Sequence, residues 1–509
     1  MTGAVVAEHE APLTVGPLFD RRRWIALIAI SLAQLMVVLD ATIVNIALPH
    51  AQAQLAIPDT ERSWVITAYT LAFGGLLLLG GRIADYWGRK RTFLLGLTGF
   101  AVASAVGGFA PNGETLFAAR AFQGAFGALL APAALALLSV AFLESRERAR
   151  AFGVYGAIIG GGAAVGLLVG GVLTQYLDWR WCMWVNVPIA VVAGLIGLWA
   201  LRESRASDAT DPTGRWRRYD IGGAVLITGG LAGLVYGFTV AADPAYGWDH
   251  VYTWLFIGAS LLLIAGFVTV EAFIGRPLLP LRVVLARTRG GAYLVSMLTG
   301  AGLVGVALFM VLYFQEVLAY SPLVAGLAAL PVTAGIFLAY PVATLLLTRL
   351  GATPIMAAGA FIGAGGLLLL TRIDITGDFW GTVLPGELVL GLGIGLIFVP
   401  LGAVALQGVH PRDAGVASAV VNASQQVGAS LGVAALSAVA LQAATAYVTR
   451  HLTSPAALLS AEFVNQVKVH SYQVTLFWAA GFFAVAGLVV LALIRAGRVK
   501  PGELTVPLG

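Results

Sequence analysis

Charged residues and cysteine are scarce in this sequence. Charged residues make up 11% of the 509 positions, against about 25% in a typical soluble domain. A water-soluble fold of this size must keep more polar surface than that, whereas a lipid-embedded protein can be as apolar outside as inside. The single cysteine, Cys182, excludes an intrachain disulfide and a four-thiolate metal site. These scarcities indicate a membrane protein.

The sequence also lacks a nucleotide-binding loop. No G-x-x-x-x-G-K-[ST] pattern occurs, and lysine is found only at Lys90, Lys468 and Lys500. We therefore expect no ATP hydrolysis, no cofactor and no metal site. Membrane-embedded enzymes need paired catalytic groups within their spans, such as Asp/Asp or Ser/His, and this chain has one clear mid-span aspartate, Asp40. An enzyme is thus a remote alternative, as is a channel or a sensor.

Long apolar runs recur along the chain, and a membrane helix needs about 20 mainly apolar residues. With 63 glycines among the residues, close helix packing is possible throughout. The polar residues 1–20 do not resemble a cleavable signal peptide, so the first run is predicted to be retained. The predicted spans are 24–47, 63–80, 92–110, 115–140, 150–174, 184–201, 220–241, 252–272, 291–314, 323–346, 353–371, 381–406, 414–445 and 472–495, with 446–471 as the one long outer loop.

The distribution of basic residues predicts the orientation. Cytoplasmic loops of membrane proteins are enriched in Lys and Arg. With the N-terminus inside, five of the 30 basic residues fall outside, Arg120 falls within a span and the other 24 lie inside; the five are Arg62, Arg180, Arg372, Arg450 and Lys468. We therefore predict a cell-membrane protein with both termini cytoplasmic, and we assign the net charge of +5 to orientation rather than to nucleic-acid binding.

Three ionisable residues lie inside predicted spans, where burial of a charge is costly and usually functional. They are Asp40 in the first span, Arg120 in the fourth and Glu387 in the twelfth. At 1.5 Å per residue, all three lie roughly 8–10 Å below the outer surface. Two carboxylates and a guanidinium in one layer can exchange protons as their surroundings change, so these residues are predicted to couple transport to protons. The alternative is a structural ion pair.

The chain contains four recognisable sequence motifs, two of which include Asp40 and Arg120. They are the loop 81–91 with Gly81, Asp85, Gly88, Arg89 and Lys90; the first-span segment 39–49 around Asp40; Arg120-Ala121-Phe122-Gln123-Gly124; and the fifth-span glycines Gly162, Gly166, Gly170 and Gly171. Together they resemble the major facilitator superfamily, and within it the fourteen-span drug:proton antiporter family. The similarity extends over roughly residues 20–495. Leu167 stands where the family's fifth-span motif usually has proline.

The resemblance implies an all-α polytopic membrane protein with the major facilitator fold, its 14 transmembrane helices arranged as 6+2+6. The corresponding ranges are 1–23 for a cytoplasmic tail, 24–201 for a six-helix bundle, 202–290 for a linker with two inserted helices, 291–495 for a second bundle and 496–509 for a second tail. The resemblance also implies that the loop 81–91 is a conformational latch that holds the outward-facing state. The fifth-span glycines are expected to pack at a bundle interface.

The function implied is proton-coupled export of lipophilic or cationic drugs by alternating access. Its partners would be a small amphipathic organic substrate, protons and the lipid bilayer. Export or import of one specific metabolite stays open as an alternative. Polar and aromatic candidates for the substrate cavity are Asn45, Trp64, Gln123, Gln315, Asn422, Gln425 and Gln426. Taken singly, such a residue more often forms a helix–helix hydrogen bond.

Overall fold

A computed structural model describes residues 17–142, 144–205, 220–243, 245–275, 277–410, 413–452 and 460–496. Within these ranges the chain forms helices and connecting segments, with no strand. Fourteen helices are long and apolar enough to cross a membrane, which confirms the predicted number. We number them spans 1 to 14: Arg21–Gln54, Trp64–Trp87, Arg89–Gly108, Gly113–Ala141, Arg146–Tyr176, Trp181–Ala200, Ile221–Ala242, Val251–Phe273, Arg287–Val317, Pro322–Leu350, Ala352–Leu370, Phe379–Leu406, Ala414–His451 and Ala461–Leu493.

The predicted outer loop 446–471 is largely helical, which corrects the sequence-based boundary. Span 13 continues to His451, and span 14 already begins at Ala461. The two extensions pack on each other, with the Tyr447 ring 4.9 Å from that of His470 and 6.2 Å from that of Phe463. Hydropathy could not reveal these turns because they are polar enough to lie beyond the bilayer. Residues 453–459 are outside the described ranges.

Helix contacts divide the spans by sequence order. Span 4 packs on spans 2 and 3, and span 1 packs on spans 5 and 6. Span 12 packs on spans 10 and 11, and span 9 packs on spans 13 and 14. Spans 7 and 8 pair with each other, and span 7 also contacts spans 2 and 13. These contacts support the predicted 6+2+6 arrangement, which stays a prediction.

The first six and last six spans meet along two helix pairs, span 2 with span 13 and span 5 with span 10. Near the predicted outer end, a Cβ added at Gly171 would lie 2.7 Å from the backbone of Leu323. Three turns earlier on the same helix face, the corresponding distance from Gly160 to the Phe337 ring is 3.4 Å. Farther along, Gly153 and Gly156 have no neighbour within 4 Å. The two halves therefore diverge toward the predicted cytoplasmic end.

Candidate functional site

A buried ion pair joins spans 1 and 4. The Arg120 Nη1 atom lies 2.5 Å from Asp40 Oδ2, and neither residue is more than 1% exposed. The other carboxylate oxygen, Oδ1, accepts hydrogen bonds from Gln123 Nε2 at 3.0 Å and from Asn186 Nδ2 at 2.8 Å. The carboxylate of Asp40 is thus held by three donors from two other spans.

The guanidinium of Arg120 is oriented by further contacts. Its Nε donates to the Val65 carbonyl at 2.9 Å, and its Nη1 also donates to Gln123 Oε1 at 3.0 Å. The guanidinium carbon lies 4.5 Å from the centre of the Tyr69 ring, a distance typical of a cation–π contact. Ser104 of span 3 lies within hydrogen-bond distance of both Gln123 and Asn186. Five of the first six spans therefore contribute to one polar centre.

This arrangement describes the ionised form of Asp40. An ionised carboxylate only accepts hydrogen bonds, and here both oxygens face N–H donors. Burial of the pair leaves water no direct access to the carboxylate in this conformation. Separation of the surrounding helices would expose Asp40 to water and allow faster proton exchange.

Sequence reasoning missed three members of this centre. The sequence analysis assigned no role to Asn186, Tyr69 or Ser104. Serine hydroxyl groups in membrane helices often bond a carbonyl of the same helix, and tyrosine is common near membrane surfaces. Only the meeting of spans 2, 3 and 6 with Asp40 identifies them.

Glu387 is placed apart from this centre. It lies in the first turn of the long helix Leu384–Leu406, is 1% exposed, and its Oε2 atom has no hydrogen-bond partner among the described residues. The structure records no contact between Glu387 and either Asp40 or Arg120 in the described chain. The predicted layer thus contains one ion pair and one separate buried carboxyl group in the last six spans.

The predicted loop 81–91 is helical on both sides of Gly88, because span 2 continues to Trp87 and span 3 begins at Arg89. This segment is bound to the end of span 6. Asp85 pairs with Arg89 at 3.0 Å, and Lys90 Nζ donates to the carbonyls of Leu198 and Leu201 at 2.7 and 2.9 Å. Gly88 has φ of 126°, a conformation that favours glycine, and a Cβ there would collide with the Glu203 carboxylate. Gly81 faces Pro132 of span 4 at 3.7 Å. The latch role of this loop stays a prediction.

The fifth-span glycines pack on two different partners. A Cβ at Gly162 would lie 3.0 Å from Val38, one at Gly170 would lie 2.9 Å from Ile43, and one at Gly166 would collide with Thr42. Those three glycines therefore bring span 5 against span 1. Gly171 instead contacts span 10 at Leu323, and the Leu167 carbonyl lies against Gly326 of the same span. Leu167 thus occupies a contact between the two halves.

The substitution Gly171→Val is expected to open the predicted outer end. The added side chain would meet backbone atoms of Pro322 and Leu323, which cannot rotate away. Overpacking of this kind costs about 1–3 kcal/mol, and separation of the two halves relieves it. Distances between spin labels on cysteines introduced at the exposed positions Glu61 and Thr376 should lengthen; the native Cys182 is buried. Gly161→Val, at a site with no neighbour within 4 Å, is the matched control. Equal distances in both variants would contradict this expectation.

Polar contacts also hold the predicted outer end together. Gln315 Nε2 donates to the Ile46 carbonyl at 3.0 Å, which joins span 9 to span 1. Glu316, which follows it, lies 3.9 Å from Arg62 of the first half and 2.7 Å from Lys468 of span 14. Gln315, a predicted cavity residue, therefore belongs to the contact between the halves. Glu316 escaped the sequence analysis because it was assigned to a loop, whereas the helix continues through it.

The remaining cavity candidates are distributed over several helix contacts. Gln123 belongs to the Asp40 centre, while Trp64 packs against Tyr236 of span 7 with ring centres 6.5 Å apart. Asn45 is 5% exposed, and its Oδ1 has no partner among the described residues. On span 13, Asn422 is exposed and Gln425 and Gln426 are half-buried. Asn422, Gln425 and Gln426 thus keep polar surface free for a substrate.

Comparison with known proteins identifies the family of this chain. The profile of the Major Facilitator Superfamily matches residues 30–433. The puromycin resistance protein pur8 of Streptomyces alboniger is 46% identical over 95% of this chain and 93% of its own. The cephamycin export protein CmcT of Amycolatopsis lactamdurans is 38% identical over 81% and 84%. A POT family peptide transporter described as auto-inhibited shares the fold, with a TM-score of 0.66, 17% identity, and coverage of 95% of this chain and 99% of its own.

Proposed function

Because the chain belongs to the Major Facilitator Superfamily and is therefore a multi-pass membrane transporter and not an enzyme, we propose that it exports amphipathic antibiotics or drugs in exchange for protons. The observation that carries this proposal is the buried Asp40–Arg120 pair, a titratable group sealed inside the first six spans. Groups of this kind in membrane proteins commonly form proton pathways. The absence of a nucleotide-binding loop from the sequence agrees with an ion gradient as the source of energy.

Coupling would follow from the charge state of Asp40. The ionised form accepts three hydrogen bonds and binds Arg120, so it stabilises the present packing of spans 1, 4 and 6. A proton on Asp40 would cancel the attraction to Arg120 and weaken that packing. Proton binding and release would thereby favour different helix arrangements, which is the linkage that alternating access requires. Glu387 would supply a second carboxyl group, in contact with substrate or carrying a further proton.

The conformation described here is interpreted as inward-facing. The outer contacts at Gly171, Gln315 and Glu316 are made, whereas the faces of span 5 and span 10 separate toward the other end. A transporter in this state would take up substrate from the cytoplasm. The deprotonated form of Asp40 fits a state that has already released its proton inward.

The substrate class is proposed from the relatives and from the residues available to bind it. The relatives are named for resistance to puromycin and for export of cephamycin, two antibiotics. Gln426 lies against Gly74 of span 2, between the halves, and its amide could bind lipophilic molecules that carry polar groups. Because each of these two relatives is named for a single compound, export of one dedicated metabolite remains the second candidate.

Two measurements test the proposal together. Expression in a host that lacks its own efflux pumps should raise resistance to puromycin, and a panel of unrelated lipophilic and cationic drugs would show the breadth of transport. Inverted membrane vesicles with an acidified interior should accumulate the same compound, and an uncoupler should stop the accumulation. Resistance without sensitivity to the uncoupler would contradict proton coupling, and uptake into right-side-out cells would contradict export.

A further inference from the structure

Two buried carboxyl groups outside the Asp40 centre lie at the predicted cytoplasmic end of the inserted spans. Asp220 precedes span 7 and is 6% exposed, while Glu271 lies near the end of span 8 and is 3% exposed. Their carboxyl groups are close enough to interact with each other. The proposed transport cycle uses neither residue, and the motifs include neither.

Each carboxyl group has one oxygen occupied by a backbone amide. Gly223 N donates to Asp220 Oδ1 at 3.0 Å, and Leu279 N donates to Glu271 Oε2 at 3.1 Å. The remaining oxygens, Asp220 Oδ2 and Glu271 Oε1, are buried and meet no N–H or hydroxyl donor in the described part of the chain. Two ionised carboxylates cannot hydrogen-bond to each other, because both only accept. A proton between these two oxygens would satisfy both.

From this geometry we infer that Asp220 and Glu271 form a proton-binding site, in which the two carboxyl groups hold one proton in common. The charged groups acting on Glu271 are Asp220 and Arg82. Arg82, in the loop 81–91, donates a hydrogen bond to the Pro277 carbonyl, two residues from the amide that binds Glu271. One shared proton leaves the pair with a single negative charge, which Arg82 balances.

Binding and release of this proton would make the packing of the two inserted helices depend on cytoplasmic pH. With the proton bound, Asp220 and Glu271 join the start of span 7 to the end of span 8. When the proton leaves, two adjacent buried carboxylates repel each other and this junction weakens. Because Arg82 binds the same connecting segment, the change would reach the loop 81–91. The inference does not depend on the transport proposal, since a proton would bind whether or not the chain exports drugs.

Infrared spectroscopy of the full-length protein in lipid tests the site. The wild type should show the carbonyl stretching band of a protonated carboxyl group, and both Glu271→Gln and Asp220→Asn should lose it. Either amide can donate to the carboxylate that remains, so the packing is kept without a proton. Asp243→Asn, at the other end of span 7 where the side chain accepts from Ala245 N, is the matched control and should retain the band. Contributions from other buried carboxyl groups cancel in the difference spectra.

Thermal unfolding provides an independent reading. The unfolding temperature of the wild type should fall as pH is raised from the acidic range to neutral, because there the folded pair still holds a proton that the unfolded chain has already lost. The Glu271→Gln variant should lack this part of the fall, and Asp243→Asn should behave as the wild type does. If either substitution in the pair leaves the infrared band in place, or if both keep this fall unchanged, the shared proton is refuted. Neither measurement involves drug transport.

Discussion

Asp40→Asn is expected to abolish proton-driven drug accumulation in inverted vesicles. The amide has nearly the shape of the carboxylate and can still accept from Gln123 and Asn186, which hold Oδ1 in the wild type. It cannot bind and release a proton, so the exchange of drug for protons has no carrier. The expected result is a loss of gradient-driven transport to the level of empty vesicles, while substrate binding in detergent persists.

Asp249→Asn, an exposed acidic residue in the connection between spans 7 and 8, is the control and should transport normally. Proton release on addition of substrate, followed with a pH dye in weakly buffered detergent solution, gives a second reading that is independent of vesicle quality. Coupled transport at the wild-type rate in Asp40→Asn would remove Asp40 from the coupling mechanism and leave it as a structural residue.

Arg120→Gln is expected to destabilise the first six spans strongly. It leaves the ionised Asp40 carboxylate buried, at 0% exposure, without its positive partner. Breaking a buried pair from one side costs about 3–5 kcal/mol. The cation–π contact with Tyr69 and the bond to the Val65 carbonyl are also affected. Unfolding in detergent, followed by fluorescence, should show this loss, whereas Arg372→Gln at an exposed outer position should be near neutral.

The double substitution Asp40→Asn with Arg120→Gln measures the interaction energy between the two charged side chains apart from their contacts with other residues. Two neutral amides remain in contact, so the double variant should recover part of the stability lost in Arg120→Gln. Residues in direct contact typically show interaction energies of about 0.5–3 kcal/mol in such cycles. The double variant should nevertheless be inactive in transport. Strictly additive losses would mean that the two charges do not stabilise each other in the membrane.

Much of the site could be predicted, because the sequence gives the type of each residue and its approximate depth in the membrane. Asp40 and Arg120 were placed in one layer by counting 1.5 Å per residue from predicted helix ends, and the structure brings them together at 2.5 Å. The same counting placed Glu387 at that depth but could not give its direction around the helix axis. Glu387 is buried away from the pair. The rotation of a helix about its own axis depends on the helices packed beside it, and the sequence does not say which helices those are.

For the fifth-span glycines, too, part of the packing could be predicted from the sequence and part could not. Their spacing predicted close packing at an interface, and Gly162, Gly166 and Gly170 pack on span 1. That Gly171 contacts span 10 instead could not be read from the sequence, because it depends on which helix of the other half lies beside span 5. The contacts of Glu316 with Arg62 and Lys468 were likewise hidden, since the three residues are separated by hundreds of positions in the chain.

The sequence by itself determined that the described part of the chain has fourteen helices long and apolar enough to cross a membrane. Hydropathy acts on each segment separately, through the transfer of its side chains between water and lipid, and such a preference needs no knowledge of the other segments. Only the tertiary structure decided that Ser104, Tyr69 and Asn186 complete the Asp40 centre, that Asp220 lies against Glu271, and that the halves join at one end. Those outcomes depend on which helices become neighbours, and hydrogen bonds between side chains of a few ångströms' reach form only after that packing is complete.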